Sequence, residues 1–189
     1  TLDNGTGTIS FSASTDNTTI AASLGASGKS LKAVSIIAAD GNMAGSSTVT
    51  STVTGDVYAT TVTALATTAL DGSDDGDIIA FGGVVQAATI TLSGAGVVTF
   101  AGDVAATTAF DFTGDGTATI AANRTLTGVV TSENNEGTLT FGTTTTNKTL
   151  ASTTIGTSTT DELKAVNIVV TDADLGDSIG VTATMAGNI

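Results

Sequence analysis

The chain has 189 residues, 18 acidic and 5 basic side chains, a formal net charge of −13, and no histidine, cysteine, proline or tryptophan. This charge repels phosphate backbones and anionic lipid, so nucleic acid is an unsuitable partner. The absent imidazole and thiol exclude a Ser-His-Asp triad, a thiolate nucleophile and an imidazole-based zinc site. With 40% hydrophobic residues but only 4% aromatic, the core is built from small branched side chains, which suits stacked layers better than one large centre.

In chain order, the first strand signal is Gly7-Thr8-Ile9-Ser10-Phe11, where polar and apolar residues alternate as in a half-buried strand. Leu31-Lys32-Ala33-Val34-Ser35-Ile36-Ile37 follows, closed by the turn pair Asp40-Gly41. The stretch from Tyr58 to Leu70 is rich in threonine and poor in helix formers, and reads as strand and turn.

Next comes an acidic knot, Asp71-Gly72-Ser73-Asp74-Asp75-Gly76-Asp77. Closely spaced carboxylates on a glycine-rich turn are the hard oxygen donors calcium prefers, so Asp71, Asp74, Asp75 and Asp77 form a candidate calcium ligand set. Their spacing matches neither an EF-hand loop nor the nonapeptide calcium repeat, and a solvated acidic loop is the competing account. Asp172-Ala173-Asp174-Leu175-Gly176-Asp177 is a weaker version of the same pattern.

Beyond the knot the strand signals become periodic. Ile78-Ile79-Ala80-Phe81, Val97-Val98-Thr99-Phe100, Thr117-Ala118-Thr119-Ile120 and Thr138-Leu139-Thr140-Phe141 end at 81, 100, 120 and 141, in steps of 19, 20 and 21. Phe11 to Leu31 supplies a further step of 20. A longer period encloses this one, since Leu163-Lys164-Ala165-Val166-Asn167-Ile168-Val169 repeats the segment at Leu31 with an offset of 132 (163 − 31). Residues 31–57 thus correspond to 163–189, and Gly7 to Phe11 corresponds to Gly137 to Phe141 after a slip of two residues. The chain reads as one continuous repeat segment, 1–189, cut from a longer tandem array.

These features predict an all-β parallel β-solenoid with coils of about 20 residues, the alternative being tandem β-sandwich domains of about 100 residues each. The absence of proline fits a chain whose N–H groups are wanted by ladders. Thr-x-Thr elements such as Thr117-Ala118-Thr119 and Thr138-Leu139-Thr140 would form a flat hydroxyl face if held in phase, but their irregular spacing favours plain strand propensity.

The runs Gly96-Val97-Val98-Thr99-Phe100-Ala101-Gly102-Asp103-Val104, Phe112-Thr113-Gly114-Asp115-Gly116-Thr117-Ala118-Thr119-Ile120 and Arg124-Thr125-Leu126-Thr127-Gly128 resemble passenger repeats of bacterial surface antigens. The family named by this resemblance is the rickettsial outer membrane protein B type of autotransporter. The likeness implies a secreted β-solenoid displayed on the cell surface as an adhesin or protein coat.

The expected function is therefore structural and non-enzymatic: an extracellular or cell-surface rod, layer or filament that associates head to tail with its own copies. The alternative is an adhesin that recognises a host protein or glycan. No apolar run reaches the roughly 18 residues of a membrane span, so direct membrane insertion of this segment is not expected. No signal peptide is recognised at the start, which reads as a mature product or a fragment.

Overall fold

The computed structural model describes residues 4–40, 48–68, 76–133, 135–143, 148–150, 154–156, 162–170 and 183–185. Along the chain run β1 (Thr8–Ala13), β2 (Thr18–Ile20), β3 (Leu31–Ala38), β4 (Thr50–Val53), β5 (Val57–Ala66), β6 (Ile78–Phe81), β7 (Val85–Ser93), β8 (Val97–Phe100) and β9 (Val104–Phe112). They continue as β10 (Thr117–Ile120), β11 (Leu126–Thr127), β12 (Val129–Ser132), β13 (Thr138–Thr143), β14 (Lys148–Leu150), β15 (Thr154–Ile155), β16 (Ala165–Val170) and β17 (Ala183–Met185).

From β1 to β10 successive strands alternate between two sheets, while β14 and β17 pair with each other outside both. One has the order β1-β3-β5-β7-β9-β12-β15 with β11 also on β9, and the other β2-β4-β6-β8-β10-β13-β16. Every strand-to-strand pairing is parallel, as in a β-solenoid in which each coil lays its strands on those of the coil before. The hairpin pairing of a sandwich is absent from these sheets, which decides between the two expected architectures.

The predicted twenty-residue rhythm is real where it was clearest. Phe81 pairs with Phe100, Phe100 with Ile120, and Ile120 with Phe141; the first three end their strands, and β13 runs two residues past Phe141. Elsewhere the coils are longer, because Thr8 pairs with Ala33, Leu31 with Ala59 and Thr18 with Ser51, separations of 25, 28 and 33. The expected step from Phe11 to Leu31 is therefore wrong. Phe11 pairs with Ile36, and Leu31 lies at the start of β3. Residues added between strands lengthen a coil without disturbing its ladder, so counting residues misplaces the rung.

Long strands turn a corner. In β5, Val57 and Ala59 point inward, Thr60 and Thr61 are both exposed, and Val62, Ala64 and Ala66 point inward again. Two consecutive exposed residues break the alternation of a flat strand, so the inward face changes direction there. β9 does the same at Thr107 and Thr108. One coil later the corner separates β11 from β12 at Gly128, whose φ is +133° and whose added Cβ would lie 2.1 Å from the Ala106 carbonyl oxygen. The first sheet is thus folded into two faces, and each coil has three sides.

Inward residues form one continuous core. Val, Ile, Leu and Ala fill most rungs, with Phe81, Phe100, Phe110 and Phe112 at the centre. At the corners, short polar side chains hold neighbouring coils together. Oδ1 of Asn17, Asp56 and Asp103 accepts the backbone N–H of Thr50, Val84 and Thr125, each at 2.8 Å. Strand N–H groups satisfy one another, and these carboxylates and amides satisfy the donors that the bends leave over.

The long repeat is also visible as strand pairing. Thr8↔Ala33 corresponds to Thr138↔Ala165, and Thr18↔Ser51 to Lys148↔Ala183, with first-strand offsets of 130 and second-strand offsets of 132. The slip of two residues therefore falls in the connection between the paired strands, 21–30 in one copy and 151–162 in the other. The copies do not occupy the same sheet: β1 and β3 lie in the first, β13 and β16 in the second.

Candidate functional site

Of the four predicted calcium ligands, Asp71, Asp74 and Asp75 lie outside the described residues. Asp77 is 1% exposed, and its carboxylate binds backbone. Oδ2 accepts the Asp40 N–H at 2.8 Å and the Thr67 hydroxyl at 2.7 Å, and Oδ1 accepts the Val49 N–H at 3.0 Å. One side chain thus joins the end of β3, the approach to β4 and the exit of β5. Such a carboxylate satisfies donors that would be costly to bury alone. Its spacing from the knot gave no sign of this role, because its partners come from three distant segments.

Two of the Thr-x-Thr elements, Thr117-Ala118-Thr119 and Thr138-Leu139-Thr140, lie in register on adjacent rungs, while Thr61-Val62-Thr63 lies in the other sheet. Thr117 and Thr119 stack on Thr138 and Thr140 on one side and on Val97 and Thr99 on the other. Ile78 and Ala80 interrupt the series before Thr50 and Thr52 resume it. Irregular sequence spacing concealed this register, since the variable lengths lie in the connections. The pairs are not present on every rung, and the face they form is mixed rather than uniformly hydroxylated.

β16 is the outermost strand of its sheet among the described residues. Ile168, Val169 and Val170 are 46%, 50% and 47% exposed, although neighbouring residues on a covered strand would alternate in burial. The second half of this rung is therefore uncovered, whereas Val166 near its start packs against the core, and its inner edge is fully paired with β13 from Thr138↔Ala165 to Thr143↔Val170.

A cavity of about 300 Å³ opens on the outer surface where the turn before β3 overhangs β5 and β7. Tyr58, the one tyrosine in the chain, lines it. Its neighbours Val57 and Ala59 are buried, so alternation directs the Tyr58 ring outward. The sequence marked Tyr58 as part of a strand but gave no indication that Asn4 and Gln86 would lie beside it.

Comparison with known protein families, curated proteins and solved structures finds no match. Among the described residues no helix is long and apolar enough to cross a membrane, which does not bear on crossing by strands.

Proposed function

We propose that this chain is a structural protein of the cell exterior, a rod of stacked β coils that forms a surface layer, coat or fibre. The observation that carries this reading is the β16 rung, outermost of its parallel ladder among the described residues, with Ile168, Val169 and Val170 exposed. A strand edge with exposed aliphatic side chains pairs readily with another strand. The next coil, from this chain or a second molecule, completes it, and repeated addition gives an open, head-to-tail assembly. The acidic surface keeps such rods soluble and away from nucleic acid. The resemblance to autotransporter passengers supports an extracellular location.

Electron microscopy and fibre diffraction of the purified protein test the reading. Rods a few nanometres across with an axial repeat of about 4.8 Å are expected. Monodisperse compact particles at all concentrations would overturn it. The second reading, an adhesin for a host protein or glycan, is favoured by one specific feature, the cavity beside Tyr58.

A further inference from the structure

We propose that the cavity around Tyr58 binds a neutral saccharide. The proposal deepens the adhesin reading and is independent of whether the rods assemble.

The cavity is built by three devices. Turn residues 25–30 form its wall and are closed on themselves: the Ala26 N–H donates to the Lys29 carbonyl at 3.2 Å, and the Lys29 N–H to the Ala26 carbonyl at 2.9 Å. Asn4 ties this wall to the first coil, its Oδ1 accepting the Ser30 N–H at 3.0 Å and the Ser30 hydroxyl at 2.8 Å. The floor comes from outward positions of β5 and β7, where Tyr58 and Gln86 are partners in register. Ala88, two residues after Gln86 at the irregularity of β7, adds a small side chain to the lining.

The chemistry of the lining is selective. Asn4, Ser30, Tyr58, Thr60, Gln86 and Thr107 provide amides and hydroxyls, and no lining side chain is charged, although the whole chain carries −13. Among the described residues, the Tyr58 hydroxyl, the Gln86 amide and the Thr60 and Thr107 hydroxyls have no protein hydrogen-bond partner. These groups both donate and accept, as sugar hydroxyls do. The Tyr58 ring adds an apolar platform for the C–H face of a pyranose, with a polar tip beside it. It is a ring the core does not use: the five phenylalanines other than Phe11 are buried, and Phe11 packs against the core.

Other ligand classes fit less well. A phosphorylated or otherwise anionic ligand needs cations, and the lining has none. An extended peptide adds to a sheet through a free backbone edge. Here the floor strands are already paired on both sides, β5 between β3 and β7, and β7 between β5 and β9. A volume near 300 Å³ lies at the small end of ligand cavities, which run from about 300 to 1,000 Å³, and suits a single sugar ring or the end of a short oligosaccharide.

The test is a glycan array carrying neutral hexose and N-acetylhexosamine oligosaccharides beside sialylated and sulfated ones, followed by titration calorimetry with the best neutral member. Tyr58→Ala, Tyr58→Phe and Gln86→Ala are compared with the unaltered protein, with thermal melts confirming that each variant is folded. Binding to neutral members is expected, with about a tenfold loss of affinity for Y58A and Q86A and a smaller loss for Y58F. Binding confined to acidic glycans, neutral binding unchanged in folded Y58A, or no binding at all would overturn the proposal. Binding to a host protein that Y58A leaves intact would retain the adhesin reading while removing this site. Microscopy of the same samples reports separately on rod formation.

Discussion

The rings of Phe81 and Phe100 lie on adjacent rungs with centroids 5.2 Å apart and planes 9° from parallel. Phe110 meets Phe100 at 5.8 Å and Phe112 at 5.6 Å in tilted arrangements, so four rings fill the middle of the solenoid. Large rings are needed there because the rest of the core is made of alanine and short branched side chains. Phe100→Ala should destabilise the protein by about 3–5 kcal/mol, as the coils cannot close around the space it leaves. Phe100→Leu should cost less, and urea unfolding followed by far-ultraviolet circular dichroism measures both.

Asp77 links three segments through its carboxylate. Replacing it by alanine leaves the N–H groups of Asp40 and Val49 and the Thr67 hydroxyl without their acceptor. A loss of about 3 kcal/mol is expected for D77A, with D77N intermediate because it retains one carbonyl oxygen. Hydrogen exchange should accelerate at the amides of Asp40 and Val49 first. Adding a calcium chelator should leave exchange at these two amides unchanged, because protein donors occupy both carboxylate oxygens.

Two glycines separate backbone strain from crowding. Gly28 has φ +73° with no atom within 4 Å of an added Cβ, whereas Gly128 has φ +133° and the Ala106 oxygen at 2.1 Å. Gly28→Ala should cost about 1 kcal/mol, the ordinary penalty for a left-handed residue. Gly128→Ala should cost about 3 kcal/mol or more, since the strained backbone and the overlap add. Equal shifts in the denaturation midpoint would remove the corner assigned to Gly128.

The assembly reading predicts a separable variant at the open rung. Val169 is 50% exposed, so Val169→Lys should leave the melting temperature within about 2 °C while placing charge on the edge that adds the next coil. Sedimentation velocity should show shorter assemblies at equal protein concentration. Unchanged assembly would mean that β16 is not the surface of addition.

Strand positions were legible because they depend on local alternation and turn residues. The endpoints Phe81, Phe100, Ile120 and Phe141 were placed on successive rungs by spacing alone, as their connections are nearly equal in length. The same reasoning failed at Phe11, which pairs with Ile36 because the earlier coil is longer. The threonine pairs stack at Thr117↔Thr138 and Thr119↔Thr140, but Ile78, Ala80 and Val97 interrupt them, in keeping with plain strand propensity. Gly7 to Phe11 and Gly137 to Phe141 look alike in sequence, yet β1 and β13 lie in different sheets. No local pattern states how many sides the intervening coils have turned.

By itself the sequence determined an all-β chain of stacked parallel coils with a thin aliphatic core and an acidic exterior, because alternation, β-branching and the missing proline act within single strands. Only the tertiary structure decided which rung meets which, where the long strands bend, why Asp77 is buried, and how Tyr58 comes to face Gln86. Those relationships join residues tens of positions apart through ladder hydrogen bonds and corner contacts. Their register is selected by the whole stack, in which a connection lengthens freely as long as each inward side chain remains above the one before.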